Sequence, residues 1–173
     1  AAGAAKLEFY TVPNFTTNPV KTMTLNQEGR LCIGTDDAVA KLNVVHSSSD
    51  TTATGSGTLA NCISVSNTNT TNNNFAGIVF GDRTDSQDFI GGILTQITDH
   101  TQNYGNLVFY TNGSGGRTEK LRITANGLMG VGTNNPQKTL HTYASGVATI
   151  RIETGDSRGQ AWDILSTNGA QNN

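Results

Sequence analysis

Apolar and polar residues alternate along two stretches of the chain. Met23, Leu25, Leu31 and Ile33 are spaced by polar or small residues, and Leu121, Ile123, Met129 and Val131 keep the same spacing. A period of two puts such side chains on one face of a strand, so each stretch predicts a half-buried strand pair. Between the strands lie NQEG (26–29) and TANG (124–127), which read as hairpin turns closed by a left-handed glycine, Gly29 or Gly127. An aromatic strand leads into each pair, LEF at 7–9 and LVF at 107–109. After each pair comes GTDDAVAKL or GTNNPQKTL, opening on Gly34 or Gly132. Asp36 suits the cap of one helical turn, but Pro136 stands in the matching region, so a loop or single turn fits both. Further extended runs begin at 42–44 and at Leu140. CISV, FAGIVFG and FIGGILTQI read as short strands set among the low-complexity stretches SSSDTTATGSGT (47–58) and NTNTTNNN (67–74). No window supports a helix of three turns. The expected fold class is all-β.

The two stretches belong to a longer self-similarity. LEFYT (7–11) matches LVFYT (107–111) at an offset of 100, and MTLNQEGRLCIGT (23–35) matches LRITANGLMGVGT (121–133) at 98. A fainter match at offset 87 sets Ile63, Val65 and Phe75 on Ile150, Ile152 and Trp162, then fades. Periodicity of this kind signals a modular architecture. It divides the chain into a first hairpin module (1–46), a loop-rich β module (47–106), a second hairpin module (107–146) and the start of a second loop-rich module (147–173). The early stop of that last copy suggests a piece of something longer.

Composition sharpens the picture. Of 173 residues, 26 are Thr, 20 Gly, 19 Asn and 11 Ser, while only 35% are hydrophobic and 14% charged. These four residue types are mediocre or poor helix formers. The thin apolar supply suggests a β protein that borrows core from other modules or other chains. Eleven Lys+Arg against thirteen Asp+Glu leave no positive surplus, which argues against a nucleic-acid partner. No run approaches the length needed for membrane insertion as a helix.

Candidate chemistry is sparse. Cys32 and Cys62 fall on Gly130 and Thr149 in the self-match, so neither a repeated disulfide nor a zinc framework fits, although a single bridge between them stays open. His46, His100 and His141 lie far apart, and no metal site or cofactor is expected. GLMGVGT (127–133) has the glycines of a phosphate loop but opens no helix. Asp82, Asp85 and Asp88 could hold calcium through oxygen, though a solvated turn suits them better. Glu8, Glu28, Glu119 and Glu153 fall on separate segments, which gives a glycosidase no obvious carboxylate pair. Trp162 and Tyr104 could stack on sugars, yet Trp162 sits on Phe75 in the self-match and reads as a core position.

The stretch LRITANGLMGVGTNNPQKTLH (121–141), preceded by NLVFYTNGSGGRTEK (106–120) and GDRTDSQDFIGGILTQ (81–96), resembles a module widespread in bacteriophage tail fibres and found also in trimeric bacterial adhesins. The resemblance is specific over 75–141. It is degraded over 7–45, where LCIGTDDAVAKLNVV keeps the glycine and threonine but lacks the proline, which leaves that loop's geometry open. The resemblance implies repeated hairpin modules in an elongated, intertwined homotrimeric fibre, on a virion tail or an extracellular cell surface.

A homotrimer would answer the composition, since three chains can cover each other's strand faces and edges. On this reading Met23, Leu25, Leu31, Ile33, Leu121, Ile123, Met129 and Val131 form the assembly core, while Gly29, Gly34, Gly127 and Gly132 make the turns. The expected function is a non-enzymatic fibre segment serving host-cell surface attachment, with a cell-surface glycan or protein as partner. The loops at 47–58, 67–74 and 98–106 are the natural contacts. Two other readings stand beside it: an extracellular filament subunit polymerising by strand exchange, and a glycan-degrading tailspike enzyme.

Overall fold

A computed structural model describes residues 5–12, 18–37, 39–45, 63–82, 89–155 and 160–166. Every regular element among them is a strand. The chain divides into two compact units, Ala1–Ser64 and Val65–Asn173.

The first unit holds a four-stranded sheet in sequence order: β1 (Leu7–Thr11), β2 (Val20–Leu25), β3 (Leu31–Ile33) and β4 (Leu42–Val44). The β2–β3 hairpin turns at 26–29, where the Asn26 side-chain oxygen accepts from the amides of Glu28 and Arg30, and Gly29 takes φ +67°. This is the Asx geometry that short amide side chains favour. β4 then returns parallel to β3, a pairing direction that periodicity alone cannot specify.

The second unit holds a six-stranded sheet of β5 (Asn74–Gly81), β6 (Phe89–Asp99), β7 (Tyr104–Gly113), β8 (Gly116–Ile123), β9 (Met129–Val131) and β10 (Leu140–Thr142). It takes strands from both the 47–106 and the 107–146 segments. Its neighbours are antiparallel except β9–β10, which is parallel. A separate antiparallel pair, β11 (Ala148–Glu153) and β12 (Ala161–Ser166), completes the unit.

The pairings of the two sheets coincide residue for residue. Leu7 faces Leu25 and Phe9 faces Met23, then a bulge sets Tyr10 against Lys21. Leu107 faces Ile123 and Phe109 faces Leu121, then a bulge sets Tyr110 against Glu119. The parallel returns match as well, with Leu31 opposite Leu42 and Met129 opposite Leu140. The amides of Gly34 and Gly132 bond to the carbonyls of Thr22 and Lys120, and those of Val45 and Tyr143 to Ile33 and Val131. The missing proline therefore leaves the loop's entry and exit unchanged.

Three expectations need correction or bounding. Residues 63–65 of CISV lie in no strand and pair with none of the described strands. The 98–106 loop shrinks to 100–103, because β6 runs on to Asp99 and Asp99 itself makes the turn by accepting from the amides of Thr101 and Gln102. The 47–58 stretch, Cys62, Asp85 and Asp88 lie outside the described residues.

Candidate functional site

Side chains of directly opposed residues share a face, so the registers build rows across each sheet. In the first unit one row is Leu7–Leu25–Leu31–Leu42, and the next is Phe9–Met23–Ile33–Val44. In the second, Leu107–Ile123–Met129–Leu140 and Phe109–Leu121–Val131 run in parallel rows, continued by Ile93 and Ile78 on β6 and β5. All eight proposed core positions sit in these rows. None is buried within the chain: Met23, Leu31, Leu121 and Ile123 are half-buried, and Leu25, Ile33, Met129 and Val131 are exposed. Leu25 keeps 41% of its surface open and Leu42 keeps 53%. Among the described residues, the buried apolar side chains are Cys32 and Val108.

Those two belong to the opposite faces, which loops cover. After β3 the chain crosses the back of the first sheet. Thr24 donates to Asp36 at 3.3 Å, Lys21 pairs with Asp36 at 2.6 Å, and Asn43 donates to the Asp37 carbonyl. Thr24 and Cys32 end up buried beneath it. After β9 the corresponding loop lays Pro136 over Gly130, whose missing side chain leaves 3.4 Å between a Cβ position and the proline ring. Alternation reveals which residues share a face; it does not reveal which face the loop covers. Sequence reasoning consequently missed Thr24, Cys32, Val108, Asn106 and Arg122 as the residues that close the chain's own interior.

The back faces carry the electrostatics. Arg122 grips Glu119 with two bonds of 2.7 Å and donates at 3.1 Å to Gln96. Gln96 also accepts from Asn106, whose own oxygen receives the Ala125 amide and so pins the β8–β9 turn. With both partners largely buried, the Glu119 carboxylate holds the Arg122 pKa above its ordinary value. At the position corresponding to Glu119, the first sheet has Lys21, bonded to Asp36 and Glu8. Lys21 holds both carboxyls below their ordinary values, and they raise its own. Arg151 likewise pairs with Asp163 across β11–β12 and lowers its pKa.

Glu8 and Glu119 are engaged in these ion pairs, Glu28 accepts from the Gln27 amide, and Glu153 lies 3.8 Å from Arg151. Among the described residues no three His, Cys, Asp or Glu side chains gather in a way that could hold a metal. Gly29, Gly34, Gly127 and Gly132 take φ of +67°, +76°, +77° and +75°. Trp162 is 68% exposed rather than core, because among the described residues no second layer covers the β11–β12 pair. The 67–74 stretch is an ordered ladder: Asn67 and Asn69 side chains accept from the amides two residues on, and Asn72 accepts from His100. The chain matches no known protein family and no curated protein.

Proposed function

We propose that this chain is a non-enzymatic segment of an elongated homotrimeric fibre, built from repeated hairpin modules and serving attachment to a host-cell surface in the manner of phage tail fibres. The observation that carries this reading is the pair of open apolar faces. Each sheet lays its covering loop on its back, over Thr24 and Cys32 in the first and Gly130 in the second, and leaves rows of Leu, Ile, Val, Met and Phe open on the front. Soluble monomers rarely expose contiguous apolar patches beyond a few hundred Å². Burial of a Leu or Ile side chain contributes roughly 1.5–3 kcal/mol, so covering even the exposed half of each row residue is a large stabilisation for a short sheet. Three copies related by a three-fold axis cover such faces with one another and leave no open end. The coincident registers, turns and bulges of the two sheets support the modular reading, and the sequence resemblance over 75–141 supports the fibre.

One observation favours the filament alternative. β11 and β12 form a two-stranded sheet with Ile152, Trp162 and Ile164 exposed, and a lone pair of strands is marginal in water. Strand addition from a second copy would complete it. Electron microscopy of the purified chain separates the two: discrete particles of uniform length support the trimeric segment, and open filaments of variable length support strand exchange.

A further inference from the structure

The back of the six-stranded sheet carries a hollow that neither the ion-pair network nor the open apolar face uses. Gly92 on β6 sits between Val79 on β5 and Tyr110 on β7 and leaves a gap between the Phe89 and Leu94 side chains of its own strand. The result is a cavity of about 290 Å³, near the lower end of small-ligand sites. Tyr110 and Phe89 provide aromatic walls, and Asn112 and Arg117, opposed on β7 and β8, provide amide and guanidinium donors at the rim. Arg117 lies 5.7 Å from the Phe89 ring centroid, which holds the cation above an apolar surface. Among the described residues Arg117 has no carboxylate partner, and none of the residues lining the cavity is acidic. Elsewhere in the chain Lys21, Arg122 and Arg151 each hold an acid.

We propose that this hollow binds one carboxylate-bearing sugar residue of a surface glycan. The ring's apolar face would lie along Tyr110 and Phe89 over the gap left by Gly92. The carboxylate would meet the forked donors of Arg117, a geometry that guanidinium suits better than ammonium, and Asn112 would bond a ring hydroxyl. The proposal gives the attachment reading a ligand class and rests on it for its purpose. Its geometry lies within one sheet, on the face opposite Ile93 and Phe109, so it does not depend on the trimer.

The test is saturation-transfer NMR on the whole chain with methyl glucuronide and methyl glucoside, beside a mass measurement on the same sample. A ligand of this size is expected to bind on the order of millimolar. The glucuronide should be saturated, and the neutral glucoside should bind about tenfold more weakly, as should the glucuronide to Arg117→Ala. Arg117→Lys should recover part of the binding, and none of these variants should change the mass. Equal signals from both sugars, or glucuronide binding unchanged in Arg117→Ala, would overturn the site. Displacement of the sugar by an acidic peptide at lower concentration would also overturn it, by assigning the hollow to a protein partner. A trimer without glucuronide binding refutes the site alone; a monomer that binds it refutes the trimer alone.

Discussion

Gly132 lies directly beneath the carbonyl of Tyr143, so close that a Cβ on Gly132 would overlap the carbonyl oxygen. Gly34 stands in the same relation to Val45 in the first sheet. Each glycine lets β3 or β9 end in a left-handed turn while the chain returns parallel alongside.

Gly132→Ala should therefore cost far more than Gly127→Ala. Both positions carry a left-handed φ, worth roughly 1–2 kcal/mol for a residue with a Cβ, but nothing lies within 4 Å of a Cβ at Gly127. Urea denaturation should show about 1 kcal/mol lost for Gly127→Ala and at least twice that for Gly132→Ala. Equal losses would mean the parallel return is not as tight as described.

Arg122→Ala removes the cation from a largely buried carboxylate and releases Gln96 as well. Breaking such a pair from one side costs about 3 kcal/mol, whereas replacing both partners by apolar residues costs much less. The urea midpoint of Arg122→Ala should fall sharply, and that of Arg122→Met with Glu119→Leu should recover much of the loss. No recovery would show that the network's value lies in pinning Ala125 through Asn106 rather than in charge.

Acid should weaken the first unit through Glu8 and Asp36. Lys21 holds both below their ordinary values of 4.5 and 3.8, so the unfolded chain takes up protons before the folded one. Their stabilisation is fully present above those values and is lost as pH falls through the lower, folded ones. Asp36 is exposed and Glu8 only half-buried, so the effect should be small and blunted by salt. Lys21→Met should flatten the fall of the urea midpoint below pH 4.5; an unchanged slope would place the acid sensitivity elsewhere.

Much of this fold was legible in the residues. Alternation at Met23, Leu25, Leu31 and Ile33 marks strands, and NQEG and TANG mark the turns between them. The parallel direction of β4 and β10 was not legible, since a short apolar run such as LNV is compatible with either direction. Nor was the interior, because Thr24 and Arg122 are buried by loops that fold back from a distance and by ion pairs along the chain. Gly92 is silent in sequence for a related reason: its role as the floor of a hollow depends on Val79 and Tyr110, brought beside it only by pairing.

A charge in the open rows should separate assembly from folding. Ile123→Asp puts a carboxylate among Leu107, Met129 and Leu140, a face that the proposed trimer would bury and that the single chain leaves partly exposed. The assembled species should disappear from size-exclusion chromatography. Lys120→Asp, on an exposed residue that the β7–β8 bulge leaves out of the register, should leave assembly intact. An unaltered trimer in Ile123→Asp would remove this face from the assembly core.

Whether the apolar faces of three chains close on one another is read from solution mass by light scattering over a range of concentrations. A closed trimer has a fixed mass of three times 18.2 kDa at every concentration. A single chain's 18.2 kDa, held at every concentration, would contradict it.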